Sequence, residues 1–320
     1  MFHTIVLSGG ANYTAAFFGC IRYMEHTQMI NDVRKVVGSS AGALVALYIA
    51  LGMTSDEMRA WSFTLCSEYG FNRLDVDILE LYASLGMDSG RNMDASIAAT
   101  LSHKNISAEV TFKELAQARG IDLVVCVLNL TKTTYEYMSV DTTPDVSVRT
   151  AIRMSMSVPL IFAPVVHEGC IYVDPVLGRN FPGDYCPGKN VLGLRLVPAH
   201  LPTDVGVAAE GQPNFASYIS SIVSLLVEQS NATMTYPEMT LVDIEIDADV
   251  PRFSAETMAF AWTPVLVASL SLAGYAAIQK VLSAIMPIFS ITDKALDRVK
   301  EEYQDDAVVA EPLQAEPAST

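Results

Sequence analysis

The sequence predicts an α/β fold in which a central, mostly parallel sheet is flanked by helices, and three observations carry that prediction. Strand-length apolar runs recur at Thr4–Leu7, Val36-Val37, 121–128 and 191–197, without the alternation of a half-solvated strand, as strands buried on both faces require. Apolar stretches of helical period follow the first two runs, and a helix start precedes the third. Between the second run and its helix lies Gly38-Ser39-Ser40-Ala41-Gly42, a Gly-x-Ser-x-Gly turn whose small residues let strand and helix backbones approach closely around Ser40. In that setting the helix N-terminus points free N–H groups at any oxyanion beside the serine. The five residues alone fit an ordinary helix start equally well.

The chain of 320 residues is long enough for one large domain with a tail, and 51% hydrophobic against 18% charged residues makes it globular and rather apolar. Its formal charge of −16 argues against nucleic acid and against simple electrostatic docking on anionic membranes. Six of the acids fall in residues 301–320, which hold no base, so the first 300 residues carry −10. The five cysteines are widely spaced and odd in number, and read as thiols of a reducing compartment. The N-terminal Met1-Phe2-His3-Thr4-Ile5 lacks a basic region before a long apolar one, so a cytoplasmic protein is expected.

In chain order, Thr4–Leu7 is the first strand and 15–25 the helix after it. Between them Ser8-Gly9-Gly10-Ala11-Asn12 is either a plain tight turn or a loop of unobstructed N–H groups able to hold an anion or oxyanion. Neither Gly-x-Gly-x-x-Gly nor Gly-Lys-Ser/Thr is present, which excludes the usual dinucleotide and P-loop routes. Thr54-Ser55-Asp56-Glu57 starts a helix, 70–110 reads as helices and loops over one face, and Thr111 to Glu114 forms a capping box. A helix is expected within 145–164, ended by Pro159. Ile171-Tyr172-Val173 is a short strand ending at Asp174, which is either a ligand-facing carboxylate or a turn residue before Pro175. Strands at 191–197 and 241–246 bracket an amphipathic helix at 215–228. The apolar stretch 262–291 reads as a buried terminal helix, a surface membrane contact or a span. The domain reading is one unit over 1–290, followed by a terminal helix and an acidic, disordered tail over 291–320.

Four segments together resemble the patatin-like phospholipases. They are Leu7-Ser8-Gly9-Gly10, Gly38-Ser39-Ser40-Ala41-Gly42, the segment carrying Ala151-Ile152-Arg153, Ser155, Ser157, Pro159, Phe162 and Pro164, and Asp174 with Asn180 and Pro182. Gly274-Tyr275-Ala276-Ala277 is similar to the end of that domain's last helix, so the likeness runs from residue 4 to residue 285. The resemblance implies a three-layer fold and a lipid acyl hydrolase of phospholipase A type, acting at a membrane surface without metal or cofactor. Carried over by position, Ser40 is the nucleophile, Asp174 the base, Gly9, Gly10 and Ala11 the oxyanion loop, and Gly38 and Gly42 the support of the elbow. Histidine order agrees, since the usual α/β-hydrolase sequence is Ser, acid, His, whereas His167 precedes Asp174; His200 is the remaining triad candidate. The chain departs from the family pattern at Ala11, where a third glycine is usual, at Tyr13, where a base is usual, and at Pro175, where a glycine is usual. These departures motivate an alternative, a weakened relative that binds lipid or a protein partner.

Overall fold

The computed structural model describes residues 1–75, 82–198, 222, 225, 235–247, 262–287 and 297–303. All of the helix expected at 215–228 except residues 222 and 225, together with His200 and the tail from 304, lies outside these residues.

From the N-terminus, β1 (Thr4–Leu7) leads through a 3-10 turn (Ala11–Ala15) into α1 (Ala16–His26), and β2 (Lys35–Ser39) leads directly into α2 (Ala41–Ala50) and α3 (Ser55–Glu68). β3 (Gly86–Asp88), α4 (Arg91–His103), α5 (Phe112–Arg119), β4 (Asp122–Asn129) and β5 (Thr134–Met138) follow. Then come α6 (Val148–Ser155), β6 (Leu160–Phe162), β7 (Val165–His167) and β8 (Cys170–Val173). β9 (Val191–Pro198), β10 (Thr240–Ile246) and α7 (Pro264–Ile285) follow.

The main sheet runs β10-β9-β1-β2-β4-β8-β7, with β5 also on β4. Pairing is parallel from β10 through β4 and antiparallel where β4 meets β5 and β8 and where β8 meets β7. This is the mostly parallel, helix-flanked sheet expected from the apolar runs. Alternate residues face opposite sides: Ile5, Leu7, Val36 and Val125 join the large core with α1, α2 and α7, while Val6, Val37 and Val124 meet Phe181, Val191 and Met239. Side-chain capping starts α3 and α5 as expected. Thr54 Oγ1 accepts from Glu57 N at 3.2 Å while Glu57 Oε2 accepts from Thr54 N at 2.9 Å, and Thr111 and Glu114 repeat the exchange.

Two expectations change. The helix expected to run to Pro159 stops at Ser155, because the next residues turn to hold neighbouring segments: Ser157 N–H bonds Met154 O, and Ser157 O accepts from Asp174 N. The short strands β3, β5, β6 and β7 were not anticipated; three of them have only three residues, too few to show a period. The apolar stretch 262–291 holds the helix Pro264–Ile285, long and apolar enough by length and composition to cross a membrane, but half of it is buried. Leu266, Val267, Leu270, Tyr275, Ile278 and Leu282 form its inner stripe. It crosses α1 at two glycines, where a Cβ on Gly19 would strike Ser271 O and one on Gly274 would strike Ala16 O. Residues 297–303 are helical, with Val299 and Tyr303 buried and Glu302 paired to Arg22 at 2.8 Å.

Candidate active site

The site forms where β2 ends. β2 is buried at Val36, Val37, Gly38 and Ser39 and passes into α2 through Ser40, the N-cap, at φ 53° and ψ −134°. A non-glycine residue there is strained, and such strain persists only where surrounding contacts impose it. They do so here. A Cβ on Gly38 would lie 2.5 Å from Gly42 O, and one on Gly42 would strike Ser8 O, so only glycines let β1, β2 and α2 come this close. Ser40 N–H donates to Ser155 Oγ at 2.8 Å, and Ser155 Oγ–H donates to Cys126 O at 2.7 Å, tying the elbow to α6 and β4.

Asp174 follows β8, fully buried, with Pro175 at the first position of the 3-10 turn Pro175–Leu177. Proline is well placed there: that position has no N–H bond to lose, and the preceding residue is held extended, as Asp174 is at ψ 132°. Asp174 Oδ1 accepts from Val176 N–H at 2.9 Å, and Oδ2 accepts from Ser40 Oγ–H at 2.6 Å. The substitution at 175 therefore leaves the carboxylate aimed at the serine. Burial pushes its pKa up to about 7 from an ordinary 3.8, against the smaller opposing effects of the Ser40 and Val176 hydrogen bonds. A carboxyl so placed is a far better proton acceptor near neutrality than one in water.

The glycine loop lies beside the serine: a Cβ on Gly9 would come within 2.9 Å of Ser40 Cβ. Its three candidate donors are not equivalent. Gly9 N–H is already given to Asn180 O at 2.9 Å, whereas Gly10 N–H and Ala11 N–H have no acceptor among the described residues. Ala11 takes φ 45°, its carbonyl accepting from Thr14 Oγ1 at 2.7 Å, and Tyr13 N–H closes the turn on Gly10 O at 2.9 Å. Tyr13, at the place of the usual base, is half-buried against the core.

Arg153 supports the acid side of the site, a role that sequence reading left unassigned. It is buried on α6, bonds Ser157 Oγ, and donates to Ser89 O and Ala163 O at 3.0 Å each. Burial lowers its pKa. The four-residue spacing of Arg153 and Ser157 was the available signal; the bond from Asp174 N–H to Ser157 O was not visible, because it joins segments far apart in sequence. Ser40 and Asp174 have no histidine partner among the described residues. No group of three His, Cys, Asp or Glu side chains that could hold a metal converges among those residues.

A serine on a strained strand-to-helix elbow, bonded directly to a buried aspartate, defines a serine–aspartate α/β protein. The chain belongs to the patatin-like phospholipase family, whose model matches residues 5–186. It is similar to a "Probable lipid hydrolase 463L" of Invertebrate iridescent virus 6, 28% identical over 188 residues, covering 57% of this chain and 62% of the viral one. It also resembles the uncharacterized protein YqhO of Bacillus subtilis (strain 168), 30% identical over 173 residues, covering 50% of this chain and 57% of that one. The chain thus matches somewhat less than two thirds of either relative's length. Among solved structures, VipD from Legionella pneumophila shares the fold at a TM-score of 0.50 and 14% identity, covering 96% of this chain and 74% of that one.

Proposed function

We propose that this protein hydrolyses carboxylic esters of membrane lipids through a Ser40–Asp174 dyad, in an acyl hydrolase domain spanning residues 1–290. The observation that carries the reading is the 2.6 Å Ser40–Asp174 hydrogen bond to a carboxyl with a pKa of about 7. Asp174 takes the Ser40 proton as Oγ attacks the ester carbonyl carbon. The resulting oxyanion is held by Gly10 and Ala11 N–H groups, joined by that of Ala41 at the start of α2; Gly9 drops from the set because its N–H is engaged. As the C–O bond breaks, Asp174 returns the proton to the departing alcohol oxygen. A water then gives its proton to Asp174 as it attacks the acyl-enzyme carbonyl, and Asp174 passes that proton to Ser40 Oγ as the acyl C–O bond breaks, releasing the fatty acid and restoring Ser40–H.

The loss of a base at Tyr13 favours a second reading, in which the fold binds lipid or a protein partner without turnover. A fluorophosphonate probe separates the two. The hydrolase reading expects wild type to be labelled and to release fatty acid from phosphatidylcholine, and Ser40→Ala to do neither. Absence of labelling in a folded wild type would leave the binding reading.

A further inference from the structure

The small sheet formed by β3 and β6 carries two leucines that violate two rules at once. Leu85 and Leu160 both adopt left-handed backbone, at φ 65° and 69°, and both are exposed, at 58% and 45%. A single exposed leucine needs no explanation, but a bulky residue at positive φ is uncommon, and glycine or asparagine would hold the same turn with less strain. The backbone on each side imposes the conformation. Ser84 Oγ donates to Gly86 O at 3.1 Å around Leu85, and the N–H groups of Ile161 and Phe162 both bond Val158 O around Leu160.

The two leucines also stand together. Gly86 pairs with Leu160 in parallel register, so Leu85 is one residue off the partner of Leu160 across strands ~4.8 Å apart. Tyr82, exposed at 95%, precedes Leu85 by three residues. The pair is tied through the backbone to the segment that holds Asp174. Leu160 is three residues past Ser157, whose carbonyl accepts from Asp174 N–H, which puts their Cα atoms within about 11 Å. The lip is fastened rigidly to that segment: Ala163 N–H bonds Asp88 O at 2.8 Å, and Arg153 spans Ser89 O, Ala163 O and Ser157. Backbone strain imposed where two exposed apolar residues share one small sheet is the pattern of a binding surface.

Resting on the reading of a lipid ester as substrate, we propose that Leu85 and Leu160, with Tyr82 at their flank, form the lip that enters the outer layer of an uncharged lipid bilayer and seats the site on it. Tyrosine suits that level, its ring apolar and its hydroxyl wet. The net charge of −16 fixes the kind of surface: anionic lipid would repel the chain, so attachment rests on apolar insertion into zwitterionic lipid. This assigns the membrane contact to the β3–β6 lip; α7 keeps its inner stripe in the core and exposes Val265 and Ile285 only near its two ends.

The test is flotation of the full chain with phosphatidylcholine vesicles, in a Ser40→Ala background so that lipid is not consumed. Leu85→Asn with Leu160→Asn removes the apolar groups while suiting the left-handed backbone, so the variant should keep its fold, as circular dichroism and melting would report. The expected result is vesicle binding by the parent, a fall of about tenfold or more in the double variant, and no further gain on adding phosphatidylserine. A folded double variant that floats as well as the parent would overturn the proposal, as would binding that requires phosphatidylserine or a parent that does not float. The dyad reading fails separately, if Ser40→Ala still releases fatty acid, and that outcome leaves the flotation result intact.

Discussion

Ser40 Oγ and Asp174 Oδ2 meet at 2.6 Å although 134 positions of chain separate the residues. Their approach is built from the backbone outward: Ser155 anchors the serine's N–H, and Ser157, two residues on, anchors the aspartate's N–H. If Asp174 is the base, Asp174→Asn keeps a side chain of the same shape but removes the proton acceptor. We expect kcat on a soluble acyl ester to fall by about 10²–10⁴-fold with KM little changed. Loss confined to KM would contradict a proton-transfer role.

The same carboxyl predicts the pH profile. With a folded pKa of about 7, Asp174 is protonated and unable to accept a proton at low pH, so kcat/KM should rise as pH increases through about 7 and level off above it. His167→Gln and His200→Gln should leave the position of that rise unchanged, since the serine bonds the aspartate directly. A rise that disappears with either histidine would identify an imidazole as the base.

A second consequence concerns stability. Between pH 4 and 7 the unfolded chain loses the Asp174 proton while the folded chain keeps it, so stability falls as pH rises through that window and stays lowered above it. Holding the carboxyl at about 7 rather than 3.8 destabilises the fold above pH 7 by up to about 4 kcal/mol. Asp174→Asn should therefore melt above wild type at pH 8, with the gap closing toward pH 4. Equal gaps at both pH values would show that Asp174 is ionised across the whole range.

These relationships differ in how far the sequence exposes them. The elbow is legible because strand, Gly38, Ser40, Gly42 and helix are contiguous, so local periodicity and small residues report it together. Thr54 and Thr111 are legible for the same reason, each capping box closing within four residues. Asp174 stands as one of two readings until the family pattern singles it out, because its partner lies on another strand. The engagement of Gly9 N–H by Asn180 O is invisible in sequence: a glycine loop looks alike whether or not its amides are occupied. The β3–β6 pair is equally silent, its strands too short for periodicity and its leucines ordinary until their backbone angles are known.

Ser155 offers a test of how the elbow is held. Its hydroxyl accepts from Ser40 N–H and donates to Cys126 O, both within the protein interior. Ser155→Ala leaves a donor and an acceptor without a partner, which should cost about 1–3 kcal/mol of stability for each group that stays dry. Because one of those groups is the backbone of the proposed nucleophile, kcat should fall more than KM rises. Ser155→Thr retains the hydroxyl and should recover part of both losses, whereas a role in packing alone would leave kcat of the alanine variant at the wild-type value.

The crossing of α1 and α7 links the far helix to the glycine loop proposed to hold the oxyanion. Ala16 begins α1 directly after the 3-10 turn that carries Ala11, Ser271 Oγ donates to Ala15 O at 3.2 Å, and Trp262 Nε1 donates to Asn12 O at 3.1 Å. Gly274→Ala brings two effects of opposite sign. Alanine favours the helix by about 1 kcal/mol, but its methyl would strike the Ala16 carbonyl, a backbone group that cannot rotate aside. Forcing a backbone shift costs about 1–3 kcal/mol, so the clash outweighs the propensity and the variant should melt lower. The shift falls on the start of α1, so the loop that holds Gly10 and Ala11 moves with it and kcat should drop while the folded variant still binds a soluble ester. Gly120→Ala is the control: its φ of 69° strains an alanine, but nothing lies within 4 Å of the added methyl. It should lower the melting temperature without changing kcat, and equal loss of kcat in both variants would show that the crossing acts only through global stability.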